Sequence, residues 1–246
     1  MNPLRFPSSL PKGSVPTSVE RVLVVAAHPD DEVLGCGGTI ARHVRGGNFV
    51  HIAILGEGVT SRRTRRNPGS DRAALSALKS DIRNAARCLG SPKFTLHDFP
   101  DNRFDTVPLL DIVKVVERAK ARWKPNIVYT HHPSDLNIDH RIVAEAVQTA
   151  FRPVPGEKHV SILAFEIPSS TEYQSSLFAA GFRPTVYIDI SETLEDKCRA
   201  MAAYRGEVRP YPHPRSPEAL SIIAKRCGLE VGLPAAERFA LVRAVV

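Results

Sequence analysis

Apolar runs and helical spacings alternate along this chain. Residues 21–27 (RVLVVAA) form a continuous, largely β-branched run of the kind needed by a strand buried on both faces. Residues 49–55, 93–99, 126–130, 162–167 and 185–190 read as further strands. Helical patterns separate them: 35–44, ended by Gly46-Gly47; 72–89, stopping at Gly90; and 108–123, opening on a proline that the first turn tolerates. In 140–151, Ile142, Val143, Ala146, Val147 and Ala150 mark one apolar helical face. Two more helices, 191–204 and 217–227, flank the proline-rich RPYPHPRSP. Alternating β and α units predict an α/β fold, a doubly wound, mostly parallel sheet with helices on both faces. No internal repeat is visible.

Composition narrows the function classes more than the fold. The 246 residues, 43% of them hydrophobic, suffice for one sizeable core, so residues 21–246 are expected to form one domain. Residues 1–20 carry prolines at 3, 7, 11 and 16 and lack an apolar signal core, which predicts an irregular arm. No run approaches a membrane span. Cys36, Cys88, Cys198 and Cys227 are scattered and form no CxxC, which fits small, reduced, buried residues of a cytoplasmic protein. The 33 Lys+Arg exceed the 26 Asp+Glu and give a net charge of +7, which favours anionic partners without naming one.

The chemistry concentrates where the first strand ends, in VVAAHPDDE (24–32). Three adjacent carboxylates repel one another, so a positive partner is expected nearby. In an open parallel sheet the loops leaving the carboxyl ends of the strands share one edge, and THHPSDLNIDH (130–140), after the fourth strand, faces the first loop there. His28, one aspartate of the first loop and one histidine of the second then outline a metal site with a position left for water. In a tight turn, residues 28 and 31 can wrap onto one ion while residue 30 projects past it, which favours Asp31 as ligand and Asp30 as base. The bland alternative is that the acids cap the helix after them, with Glu32 taking the cap. Both can hold together.

The hexapeptide AHPDDE (27–32), the later Asp139-His140 pair and AERF (236–239) resemble the LmbE-like or PIG-L-like zinc-dependent N-acetyl sugar deacetylases. The resemblance runs from Arg21 to the end and implies a Rossmann-like layer. It further implies that His28, Asp31 and His140 hold Zn2+, with Fe2+ or another divalent ion as alternatives, that Asp30 is the general base, and that Asp139 is an outer-shell partner. One position departs from the pattern: many members carry a second histidine where this chain has Asn137. An asparagine amide can donate a hydrogen bond to an oxyanion but cannot deliver a proton. The acid is then expected from His132, or from His131, with Asp135 orienting either, or from Asp30 acting twice.

Other features carry weaker expectations. Gly35-Cys36-Gly37-Gly38 lacks a full GxGxxG, and the preceding carboxylates would repel a pyrophosphate. Arg62, Arg63, Arg65 and Arg66 make either a solvated loop or a clamp for a phosphate or nucleotide, with Arg62 and Arg63 as substrate-binding candidates. Asn102 and Arg103, after the third strand, are expected to reach the pocket, and His213 and Arg215 form either its rim or plain surface. The expected partner is a small N-acetyl sugar or conjugate, phosphorylated or nucleotide-linked forms included, with no nucleic acid or membrane, and a homo-oligomer is left open. Two other classes compete: a Rossmann-type nucleotide or sugar-nucleotide binder without hydrolysis, and a basic nucleic-acid-binding module using the arginine run.

Overall fold

The computed structural model describes residues 19–58 and 72–245. Arg62, Arg63, Arg65 and Arg66, and nearly all of the expected arm, therefore lie outside the described residues. The elements run β1 (Arg21–Ala26), α1 (Asp31–Arg45), β2 (Phe49–Gly56), α2 (Arg72–Cys88), β3 (Lys93–Phe99), α3 (Leu109–Trp123), β4 (Ile127–His131), α4 (Ile138–Ala150), β5 (Ser161–Phe165), β6 (Val186–Asp189), α5 (Leu194–Ala203), α6 (Pro217–Leu229) and β7 (Ala236–Arg243). No helix among the described residues is long and apolar enough to cross a membrane.

The strands join in one seven-stranded sheet, ordered β3-β2-β1-β4-β5-β7-β6. Pairing is parallel from β3 through β5, while β7 runs antiparallel to both β5 and β6. Successive residues of β1 feed opposite cores, as the two-residue period of a strand requires. Val22 and Val24 pack with Val33, Leu34, Ile82 and Met201 of α1, α2 and α5, whereas Leu23 and Val25 pack with Ile112, Val116, Val143 and Val147 of α3 and α4. Both faces of the sheet are thereby covered, and the fold is α/β with a mostly parallel sheet. β1 and β4 are neighbours whose connections leave in opposite directions, the switch point at which such sheets bind ligands. The two His/Asp loops leave the sheet there.

β7 is a strand that the apolar pattern did not predict, because AERFALVR carries Glu237 and Arg238 near its start, the first of them buried and the second partly so. Glu237 is buried, and its carboxylate accepts the N–H groups of Gly38 (3.0 Å) and Thr39 (2.7 Å) and the Lys197 ammonium (2.6 Å). Those amides are exposed by a kink in α1, where Cys36 leaves helical geometry (φ −150°, ψ 28°). Lys197 also donates to the Leu34 carbonyl at 2.9 Å. Helix α1 begins at Asp31 rather than at Gly35, and the glycines inside it serve close packing. A Cβ on Gly35 would stand 2.5 Å from the Phe165 ring, and one on Gly38 would stand 2.8 Å from Ile190. Glu237→Ala would strip two buried amides of their acceptor and leave Lys197 buried and unpaired, so urea unfolding should register a loss of about 3–5 kcal/mol.

Candidate metal centre and active site

His28 and Asp31 leave the end of β1 and open α1; His140 lies in the first turn of α4. They converge on one oxygen. Asp31 Oδ2 is 3.4 Å from His28 Nδ1 and 3.3 Å from His140 Nε2. Each imidazole has its other nitrogen against a buried aspartate: His28 Nε2 is 2.9 Å from Asp139 Oδ2, and His140 Nδ1 is 3.0 Å from Asp135 Oδ1. The aspartates are themselves anchored. Asp139 accepts the Phe104 N–H (2.9 Å), and Asp135 accepts the hydroxyls of Ser170 and Thr171 and the Asn137 N–H.

This environment demands positive charge. Burial alone would lower the pKa values of both histidines, yet hydrogen bonds to Asp139 and Asp31 hold His28 well above the usual imidazole range. Asp31 and Asp135 likewise carry His140 up to about 9 against its burial. Burial would raise Asp31, but His140 and His131 keep it well below the usual carboxylate range. Asp135 falls to about 2, its burial outweighed by His140 and the two hydroxyls. The repulsion built into DDE is answered by the histidines that face Asp31.

The donor set fits a divalent ion. Donors about 2.0–2.1 Å from a tetrahedral zinc stand roughly 3.3–3.4 Å apart, close to the spacings around Asp31 Oδ2. An aspartate behind each ligating imidazole is the usual means of fixing its tautomer and direction. The donor atoms of His28, Asp31 and His140 lie within 4.8 Å of one another, as do those of a second group, His28, Asp101 and Asp139. The second group would need His28 Nε2, the nitrogen that Asp139 already engages.

A cavity of about 370 Å³ opens over the cluster, and His28, Asp30, Asn102, Asn137 and His140 line it. Asp31 and Asp139 are buried, Asp31 against the lining His28 and His140 and Asp139 against His28. Asp30 sits in the left-handed region (φ 104°), and its Oδ2 accepts from Arg215 Nη1 at 3.0 Å. Burial pushes the Asp30 carboxyl well above the usual range, with Arg215 opposing. Neither Asp30 nor Asp31 caps α1 through its side chain; instead Asp31 accepts the His28 N–H and Glu32 accepts the Asp30 N–H.

Several expected residues are placed elsewhere. His131 accepts the Ala27 N–H on Nε2 (2.8 Å) and stacks on His140, and burial and His140 hold its pKa well below the usual range. His132 does not line the cavity: its ring packs edge-on against Phe182, its Nδ1 accepts the Ser134 N–H, and burial lowers its pKa. Asp135, expected to orient one of these two, stands at His140 instead. Asn137 caps α4, its Oδ1 accepting the Asp139 N–H (2.8 Å) while its Nδ2 donates to Asn102 Oδ1 (2.8 Å). This cap starts α4 before residue 140. Arg103 is exposed and outside the cavity, as is His213. Arg215 is on the cavity wall, as are Asp101 and Glu207, and no local signal in the sequence marked these three as a group.

Residues 23–151 match the profile of the PIG-L family, described as GlcNAc-PI de-N-acetylase. The chain belongs to the PIG-L family of deacetylases. Deacetylase YaiS of Escherichia coli is 29% identical over 177 residues, which cover 70% of this chain and 82% of the relative. The 4-oxalmesaconate hydratase of Pseudomonas putida is also 29% identical, over 207 residues covering 78% of this chain and 75% of that protein. Among solved structures, the N,N'-diacetylchitobiose deacetylase of Pyrococcus horikoshii superposes with a TM-score of 0.70 at 21% identity, covering 90% of this chain and 83% of that one. At that identity the likeness concerns the fold.

Proposed function

We propose that this PIG-L family member is a zinc-dependent N-deacetylase that releases acetate from an N-acetylated sugar or glycoconjugate, with His28, Asp31 and His140 as the metal ligands and Asp30 as the general base. One observation supports it above the rest: two histidines, each backed by a buried aspartate, present their remaining nitrogens to a single oxygen of Asp31 beneath a cavity. The bound ion would supply Lewis acidity and a water of lowered pKa. Asp30, on the cavity wall beside these ligands, takes the proton of the attacking water. Burial raises its affinity for that proton, which suits a carboxyl that must hold it and then release it to the departing amine. Because His131 and His132 are turned to other partners, Asp30 carries out both transfers. Asn137 Nδ2 gives one hydrogen to Asn102 and has a second to offer a substrate oxygen in the cavity it lines.

The test is acetate release by the zinc-loaded protein from free, phosphorylated, nucleotide-linked and lipid-linked N-acetylhexosamines. No acetate from any of them would sink the reading. A second reading is a hydratase that adds water to an unsaturated carboxylated substrate. The hydratase relative favours it, as does Arg215, whose guanidinium on the cavity wall suits a carboxylate. Consumption of an unsaturated oxo-acid in place of acetate release would select it.

Asn137→His tests the proton route. The change supplies an acid at the cavity wall and removes the α4 cap, at a cost of about 1 kcal/mol. The expected result is a higher kcat at mildly acidic pH in a protein that melts slightly earlier. Metal loss, or an unchanged rate at every pH, would mean that residue 137 does not face the reacting carbonyl.

A further inference from the structure

Asp30 occupies backbone territory that few residues other than glycine adopt, with φ 104° and ψ −27°. Such a conformation persists only where its surroundings over-determine it, and an observed outlier of this kind points to a functional constraint. Two sets of bonds hold it here. The Asp30 carbonyl accepts the N–H groups of Val33 and Leu34, both at 2.9 Å, which opens α1. The Asp30 N–H donates to Glu32 Oε2 at 3.1 Å, and the other oxygen of that carboxylate accepts the Tyr204 hydroxyl. Tyr204, immediately after α5, is fully buried, and Glu32 is 2% exposed.

Glu32 is thus the one acid of the DDE run turned away from both the ion site and the cavity. A third buried carboxylate beside Asp30 and Asp31 is electrostatically unfavourable, and a buried polar link of this sort is often replaceable by apolar packing unless its direction matters. The direction is what it supplies: were the Asp30 N–H released, the peptide between Pro29 and Asp30 could rotate and carry the carboxylate off the cavity wall.

We propose that Tyr204 is a positioning residue for the base, fixing through Glu32 the Asp30 amide and with it the left-handed backbone that aims the Asp30 carboxylate into the cavity. The proposal rests on the reading of Asp30 as the general base. The test compares Tyr204→Phe, Glu32→Gln, Glu32→Leu and Asp30→Asn in zinc-loaded protein, with turnover normalised to folded, metal-bearing chain. Tyr204→Phe should lower kcat about tenfold, the scale set by small misplacements of a reacting group, with KM within about twofold and metal content unchanged. Glu32→Gln keeps an oxygen that can accept the Asp30 N–H and should retain most of the rate that Glu32→Leu loses; this pair decides the matter if Tyr204→Phe fails to fold. Parental kcat in Tyr204→Phe, with only its melting temperature lowered, would make Tyr204 a structural residue and overturn the proposal. Parental turnover in Asp30→Asn would instead remove the base assignment itself, so the two failures are told apart.

Discussion

Asp30→Asn should keep its full complement of metal and lose between about two and four orders of magnitude in kcat, the range typical of a deleted general base. The substitution is isosteric and leaves His28, Asp31 and His140 with their own partners, Asp139 and Asp135. The asparagine oxygen can still accept from Arg215, so the C-terminal loop that carries Arg215 keeps its hold on the site. Only the ability to take and return a proton disappears. KM should move little, because the loss falls on the transition state rather than on binding. Stability should hold or rise: burial penalises the Asp30 charge, and Asp31 and Glu32 repel it, so neutralising it relieves a strain that the fold otherwise tolerates for function. Elemental analysis, steady-state kinetics on an acetate-releasing substrate and a thermal melt together check the claim. Metal lost in Asp30→Asn but retained in Asp31→Asn would exchange the roles assigned to the pair.

What the sequence made legible was local. The β1 run and the charges that end it lie within twelve residues, 21–32, and the parallel-sheet rules alone bring the 130–140 loop to the same edge. What escaped depends on contacts between residues far apart in the chain. β7 was hidden because Glu237 and Arg238 break its apolar pattern; they are tolerated inside the sheet because Lys197 and the Gly38 and Thr39 amides hold one and Glu166 holds the other. The start of α1 was set too late because its glycines and acids read as a loop, whereas Glu237 satisfies the amides that the kink at Cys36 frees. His131 and His132 were natural candidates for the acid by proximity in sequence, but successive residues of an extended segment turn to opposite sides, and each already has a partner in the loop or core. Arg215 lies 185 residues from Asp30, and nothing in HPRSP distinguishes a guanidinium on the cavity wall from one in solvent.

Removal of a ligand and removal of the aspartate behind it should produce two different grades of metal loss. His28→Ala, Asp31→Ala and His140→Ala each delete a donor from the proposed three-ligand set, and each should drop zinc from about one ion per chain to well below stoichiometry after dialysis against a weak chelator. Asp135→Asn and Asp139→Asn leave all three donors in place but weaken the bonds that orient His140 and His28, and their affinities should fall by about 10- to 100-fold, the usual effect of losing an outer partner. Asp139 also accepts the Phe104 N–H and Asp135 the Ser170 and Thr171 hydroxyls, so their variants should melt earlier as well. Competition titration of the apo-protein with a chromophoric chelator separates the two classes. Stoichiometric zinc in all three alanine variants would remove the site as assigned. The other cluster offers a sharper alternative, because His28, Asp101 and Asp139 also bring their donor atoms within 4.8 Å. If Asp101→Ala releases the metal while Asp31→Ala retains it, the ion belongs on the Nε2 side of His28, Asp139 becomes a ligand, and Asp31 is left as the carboxylate that holds the His28 amide.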